Sequence, residues 1–116
     1  MQLTEHQCQP CLKGSATLSS QDAERYLAHL PTWKIIAIDG EQRLLRQFTL
    51  KTYRQCLDFA LGIGNLAEQQ NHHPLMEIAW GEVTVSWWTH TIRGLHLNDF
   101  IMAARTDALY QAIDGN

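Results

Sequence analysis

The chain has 116 residues, 45% of them hydrophobic and 18% charged, with a formal net charge of -3. That length and balance fit one globular domain that buries roughly two-thirds of its surface without disulfide staples, and they exclude a disordered chain. The acidic balance excludes a basic nucleic-acid surface, and no apolar run reaches the roughly 18 residues of a membrane span. The start Met1-Gln2-Leu3-Thr4-Glu5-His6 lacks the basic segment and apolar core of a secretory signal, so a cytoplasmic location is expected.

Residues 1–17 read as a flexible N-terminal arm, and residues 18–116 as a single domain. The arm holds His6 and a Cys8-x-x-Cys11 pair. A structural zinc needs four ligands where three are visible, and a redox pair needs a preceding strand and a following helix where Gly14-Ser15-Ala16-Thr17 follows. Ser19-Ser20-Gln21-Asp22 is a capping-box-like start, after which Ala23, Tyr26, Leu27 and Leu30 recur at helical spacing up to Pro31. Strand formers over 33–38, the turn pair Asp39-Gly40 and a return run over 44–50 predict a hairpin.

A long helix follows, with one apolar stripe of Tyr53, Cys56, Leu57, Ala60, Gly64 and Ala67 and a second of Phe59, Ile63 and Leu66. Two apolar faces call for a sheet on one side and another helix or a second subunit on the other. Pro74 pushes the residue before it out of the helical region, so the helix is expected to end near His72-His73. Two more strands are expected over 76–80 and 83–89, joined by a tight turn. A last helix starts near Leu97 with Phe100, Ile101, Ala104 and Ala108 facing in. The expected fold class is α+β in the order α-β-β-α-β-β-α, a four-stranded antiparallel sheet with helices packed on one face.

Three of the six histidines flank the second hairpin, in Asn71-His72-His73-Pro74 and Trp87-Trp88-Thr89-His90. A hairpin brings its ends together, and histidine titrates nearest neutrality, so a convergent group suits proton transfer. Strand alternation puts Val83, Val85 and Trp87 toward the core, and Thr84, Ser86, Trp88 and His90 on the opposite face. Trp88 could wall a flat heterocycle or cover a subunit contact. Glu68, four residues before His72, and the helix C-terminus would both favour the imidazolium of His72. His73, extended before Pro74, points elsewhere. Structural, hydrogen-bonded histidines are one competing reading. A metal site is another, although adjacent histidines rarely aim at one ion and no H-E-x-x-H pattern is present. Asp99, three residues after His96, could simply cap the last helix.

These residues resemble a known family. Glu68-x3-His72-His73-Pro74, then Trp80-x2-Val83-x-Val85-x-Trp87-x-Thr89-His90, then Gly94-Leu95 and Asp99, are similar to the signature of the pterin-4a-carbinolamine dehydratases. Trp33-Lys34 and the strand around Phe48 extend the likeness over roughly 18–109, with His96 standing where a Ser or Thr helix cap is usual. The resemblance implies a lyase that dehydrates 4a-hydroxytetrahydropterin to quinonoid dihydropterin and water, recycling the pterin of an aromatic amino acid hydroxylase. It implies catalytic roles for His72, His73 and His90, with His72 and His90 as acid and base around the 4a-hydroxyl. By the same likeness His73 and Asp99 would hold the pterin and Glu68 would orient His72; Trp88, read from strand alternation, is the candidate wall for the substrate. It implies no cofactor beyond the pterin substrate, no metal, and a homodimer or homotetramer with no nucleic acid or membrane partner. Animal members also serve as a dimerisation cofactor of a homeodomain transcription factor, so a non-catalytic coactivator or assembly module is the alternative.

Overall fold

A computed structural model describes residues 2–5, 8 and 17–113. Helices α1 (Ser20–Leu27), α2 (Tyr53–Gln70) and α3 (Leu97–Gln111) and strands β1 (Lys34–Ile38), β2 (Glu41–Thr49), β3 (Leu75–Ala79) and β4 (Glu82–Trp87) follow the expected α-β-β-α-β-β-α order. Every pairing is antiparallel and the sheet runs β1-β2-β4-β3, so two sequential hairpins join side by side through β2 and β4.

Local chemistry explains the boundaries. Ser19 Oγ accepts from the Asp22 amide at 3.1 Å to start α1, and Thr52 Oγ1 accepts from the Gln55 amide at 3.0 Å to start α2. Asp39 and Gly40 both take positive φ, 53° and 78°, which is what a two-residue turn matched to the strand twist requires. The end of α2 differs from the expectation. The helix stops at Gln70 because Asn71 adopts the left-handed conformation, φ 52°, and folds the chain back before Pro74 acts. His72 therefore lies beyond the helix and not in its last turn.

The helices cover one face of the sheet: α2 and α3 pack on the strands and α1 rests on α3. Leu44, Phe48, Val83, Val85 and Trp87 line that face and are fully buried. Phe48 gathers the rings of Phe59 at 4.9 Å, Tyr110 at 4.8 Å and Trp33 at 5.9 Å. The two stripes read on α2 merge into one buried arc of Cys56, Phe59, Ala60, Ile63 and Ala67, while Tyr53 and Leu61 are exposed. On α3, Phe100, Ile101 and Ala104 face in as expected, but Ala108 is exposed and Met102, Ala103 and Thr106 are buried instead. This helix is covered on more than one side, because α1 and a short 3₁₀ turn, Leu3–Glu5, also pack against it. The arm thus supplies Leu3 to the core. Among the described residues no helix is long and apolar enough to cross a membrane.

Candidate active site

Register brings the two histidine blocks together. Leu75 pairs with Ser86, which sets the 71–74 loop beside the end of β4. There the chain leaves the sheet: Thr89 bridges to Gly94, its amide donating to the Gly94 carbonyl at 2.8 Å, and His90–Ile92 form a 3₁₀ turn closed by Arg93 in the left-handed region.

His72 is held firmly. Its ring lies parallel to the buried Trp87 ring, 7° between planes and 5.8 Å between centroids. Its Nε2 is 2.6 Å from Asp99 Oδ1. A carboxylate only accepts, so Nε2 is the donor and Nδ1 remains for a ligand. Asp99 is fully buried at the start of α3, and its other oxygen accepts from the Thr89 hydroxyl at 2.8 Å and the His96 amide at 2.9 Å. Three donors and the helix N-terminus offset the cost of burying that carboxylate. The capping-box reading of Asp99 is therefore realised, with His96 Nδ1 replacing the usual hydroxyl by accepting from the Asn98 amide at 3.1 Å. The same carboxylate orients a histidine.

The carboxylate pairing differs from the expected one. Glu68 Oε2 is 2.8 Å from His73 Nε2, not from His72, and the pair is exposed. With α2 ending at Gln70, the i,i+4 geometry that would join Glu68 to His72 no longer holds. Asp99 takes the orienting role assigned to Glu68, and with 0% exposure it presents no free surface for a pterin. His90 is exposed, and its ring lies 4.5 Å from Trp88. Trp88 is only 7% exposed, with the Arg43 guanidinium 3.8 Å from its ring centroid, so it is a buried support more than an open wall. His72, Thr89 and Asp99 form one network, Glu68 and His73 a second, and Arg43, Trp88 and His90 a third.

Thr89, Trp87 and Arg43 were not singled out as site residues by the sequence reading. Alternation carried a signal for Thr89, which shares a strand face with Trp87 and so points toward α3. Near the network, the Cys8 amide donates to Gln70 Oε1 at 3.1 Å. Burial pushes the Cys8 thiol up to about 11, with Arg105 opposing and Asp99 reinforcing. It is a thiol at neutral pH, which weighs against a redox role; His6 and Cys11 lie outside the described residues. Among the described residues no three His, Cys, Asp or Glu side chains converge as a metal ion would require.

Comparison with known proteins identifies relatives of the whole domain. Residues 16–109 match the family described as Pterin 4 alpha carbinolamine dehydratase. A Chlorobium luteolum protein, provisionally named a pterin-4-alpha-carbinolamine dehydratase, is 44% identical over 112 residues, covering 97% of this chain and 98% of its own. A Syntrophotalea carbinolica protein of the same provisional name is 45% identical, covering 94% and 97%. The crystal structure of a transcriptional coactivator/pterin dehydratase from Brucella melitensis superposes with a TM-score of 0.74 at 26% identity, covering 81% of this chain and 98% of that one. A pterin dehydratase-like protein identified as a RuBisCO assembly factor in the alpha-carboxysome shares the fold, with a TM-score of 0.59 at 22% identity, covering 71% and 93%. A match across the whole hairpin and the helix that supplies Asp99 leaves one conclusion: the chain belongs to the pterin 4 alpha carbinolamine dehydratase family.

Proposed function

We propose that the protein dehydrates a 4a-hydroxytetrahydropterin to the quinonoid dihydropterin and water. The observation that carries this reading is the buried Asp99–His72 pair at the hairpin end that also bears His73 and His90. Loss of the 4a-hydroxyl as water needs a proton delivered to its oxygen, and a ring nitrogen must release one to complete the new double bond. Imidazole, the side chain that free in water titrates nearest neutrality, is the group suited to both transfers. His72, its ring fixed by Asp99 and Trp87, supplies one transfer through Nδ1, and His90 the other. His73, steadied by Glu68, contacts the pterin from the exposed side. These side chains carry the chemistry without a metal or a further cofactor. The product would feed recycling of the pterin used by an aromatic amino acid hydroxylase, in a homo-oligomer within the cytoplasm.

A second reading has its own support. One structural neighbour is named a coactivator as well as a dehydratase and another an assembly factor, and one fold can host both kinds of role. The two readings separate in one measurement, the ultraviolet absorbance decay of a 4a-hydroxytetrahydropterin with and without the protein. Acceleration above the spontaneous rate supports the enzyme. An unchanged decay with folded protein leaves the binding module.

A further inference from the structure

The face of the sheet opposite the helices carries Arg43, Leu45 and Gln47 from β2 and Thr84 and Ser86 from β4. Trp88, just past the end of β4, is 7% exposed. The register that pairs Leu44 with Trp87, continued by one residue, sets Arg43 opposite Trp88. The guanidinium carbon of Arg43 lies 3.8 Å from the centroid of the indole, and the His90 ring lies 4.5 Å away from it, tilted by 41°. Among the described residues the buried Arg43 Nε has no hydrogen-bond partner, and the guanidinium lies against the indole. A cation against an indole is favourable, and more so when both are shielded from water.

This stack bears on the candidate reaction through His90. The backbone before His90 is tied on one side, where the Thr89 hydroxyl donates to Asp99. On the other side, the ring contact found for the His90 imidazole is with Trp88. The neighbouring Arg93–Glu41 pair, 3.3 Å apart, leaves Arg93 76% exposed and is a weak clip by comparison. Trp88 is therefore the aromatic support beside the imidazole, and the Arg43 cation lies over that support.

We propose that Arg43 is a positioning residue: held against Trp88, it fixes the indole that supports the His90 imidazole, without itself touching the substrate. The inference rests on the reading of His90 as a proton-transfer group. Misplacing such a group lowers turnover more than binding.

The test compares Arg43→Met and Arg43→Lys with the wild-type full-length chain. Two quantities are measured: steady-state dehydration of 4a-hydroxytetrahydropterin corrected for the spontaneous rate, and the proton NMR signal of the His90 ring, assigned by its loss in His90→Gln. Thermal unfolding checks that the variants fold. Arg43→Met should lower kcat about tenfold with KM changed by less than about twofold, and should move the His90 signal as the indole ring current shifts. Arg43→Lys keeps the cation but not the planar stack, so it should fall between the two. An unmoved His90 signal in Arg43→Met overturns the proposal, as does a moved signal with unchanged kcat, or a raised KM at constant kcat. If the wild-type chain shows no dehydration at all, the functional reading fails; the NMR comparison still decides whether Arg43 sets the imidazole.

Discussion

Asp99 accepts from His72, Thr89 and the His96 amide at once, so it fixes the His72 imidazole and the start of α3 with one carboxylate. Two kinds of damage should follow from changing it. Asp99→Ala strands a buried hydroxyl and a cap amide, and should cost about 2–4 kcal/mol of unfolding free energy by urea titration. Asp99→Asn keeps the shape, loses the charge that holds the imidazole tautomer, and should lower kcat with KM nearly unchanged. His72→Ala and His90→Ala should each lower the background-corrected rate by about 10²–10⁴, the usual yield of general acid–base catalysis. Their double variant should lose less than the product of the two if they act as a unit. Folded single variants with near-full turnover would sink the proton-transfer mechanism. Glu68→Gln should act through His73 and show mainly in KM.

At the scale of the elements, α3 is tied down at both ends. Its C-terminal half is held by Asp107 Oδ1, which accepts from Trp33 Nε1 at 2.8 Å and Arg46 at 2.7 Å, and by the Tyr110 hydroxyl, which donates to the Thr49 carbonyl at 2.7 Å. Burial pushes the Asp107 carboxyl above its ordinary value near 3.8, outweighing the lowering by Trp33 and Arg46. The sign of the linkage follows. A raised folded-state pKa means that the native protein holds this proton more tightly, so the contribution to stability is full below about 3.8 and is lost as pH rises through the folded value. Relative to Asp107→Asn, which cannot titrate, the wild type should therefore gain stability as pH falls from neutral toward that range. Parallel urea titrations at several pH values check this; a wild-type advantage that shrinks on acidification contradicts it.

For the whole molecule, the exposed apolar side chains among the described residues include Leu75 and Ile78 on the edge strand β3, the adjoining Trp80 at 76% exposure, Leu61 on α2 at 64%, and also Ile38 and Tyr53. An apolar edge with free backbone groups invites another strand. The second apolar stripe of α2 does not supply a subunit contact, because Phe59 and Ile63 are consumed by the core at 4% and 0% exposure. The expectation of a homo-oligomer now stands on the edge and on Leu61. Sedimentation at micromolar concentration should show a dimer or larger; a clean monomer would refute it. Activity should also survive exhaustive chelation, because two imidazoles can carry both proton transfers. Loss of rate restored only by zinc would mean that the three histidines have been misread.

Much of this was legible in the chain itself. Element order followed from short-range signals: the cap at Ser19, the Asp39-Gly40 turn, and period-two alternation along β4. The convergence of the histidine blocks followed from the hairpin, and the Asp99 cap from its spacing to His96. Each of these depends on residues a few positions apart, where local sterics and hydrogen bonding decide the outcome. Which carboxylate meets which imidazole was not legible. Asn71 ends α2 before His72, which turns His72 away from Glu68 and toward a side chain 27 residues on. The cover on Trp88 likewise comes from Arg43, on a strand from the other hairpin. Such contacts exist only once the hairpins join and α3 docks, because sequence spacing constrains neighbours along one element, whereas partners across elements are selected by how the packed surfaces meet.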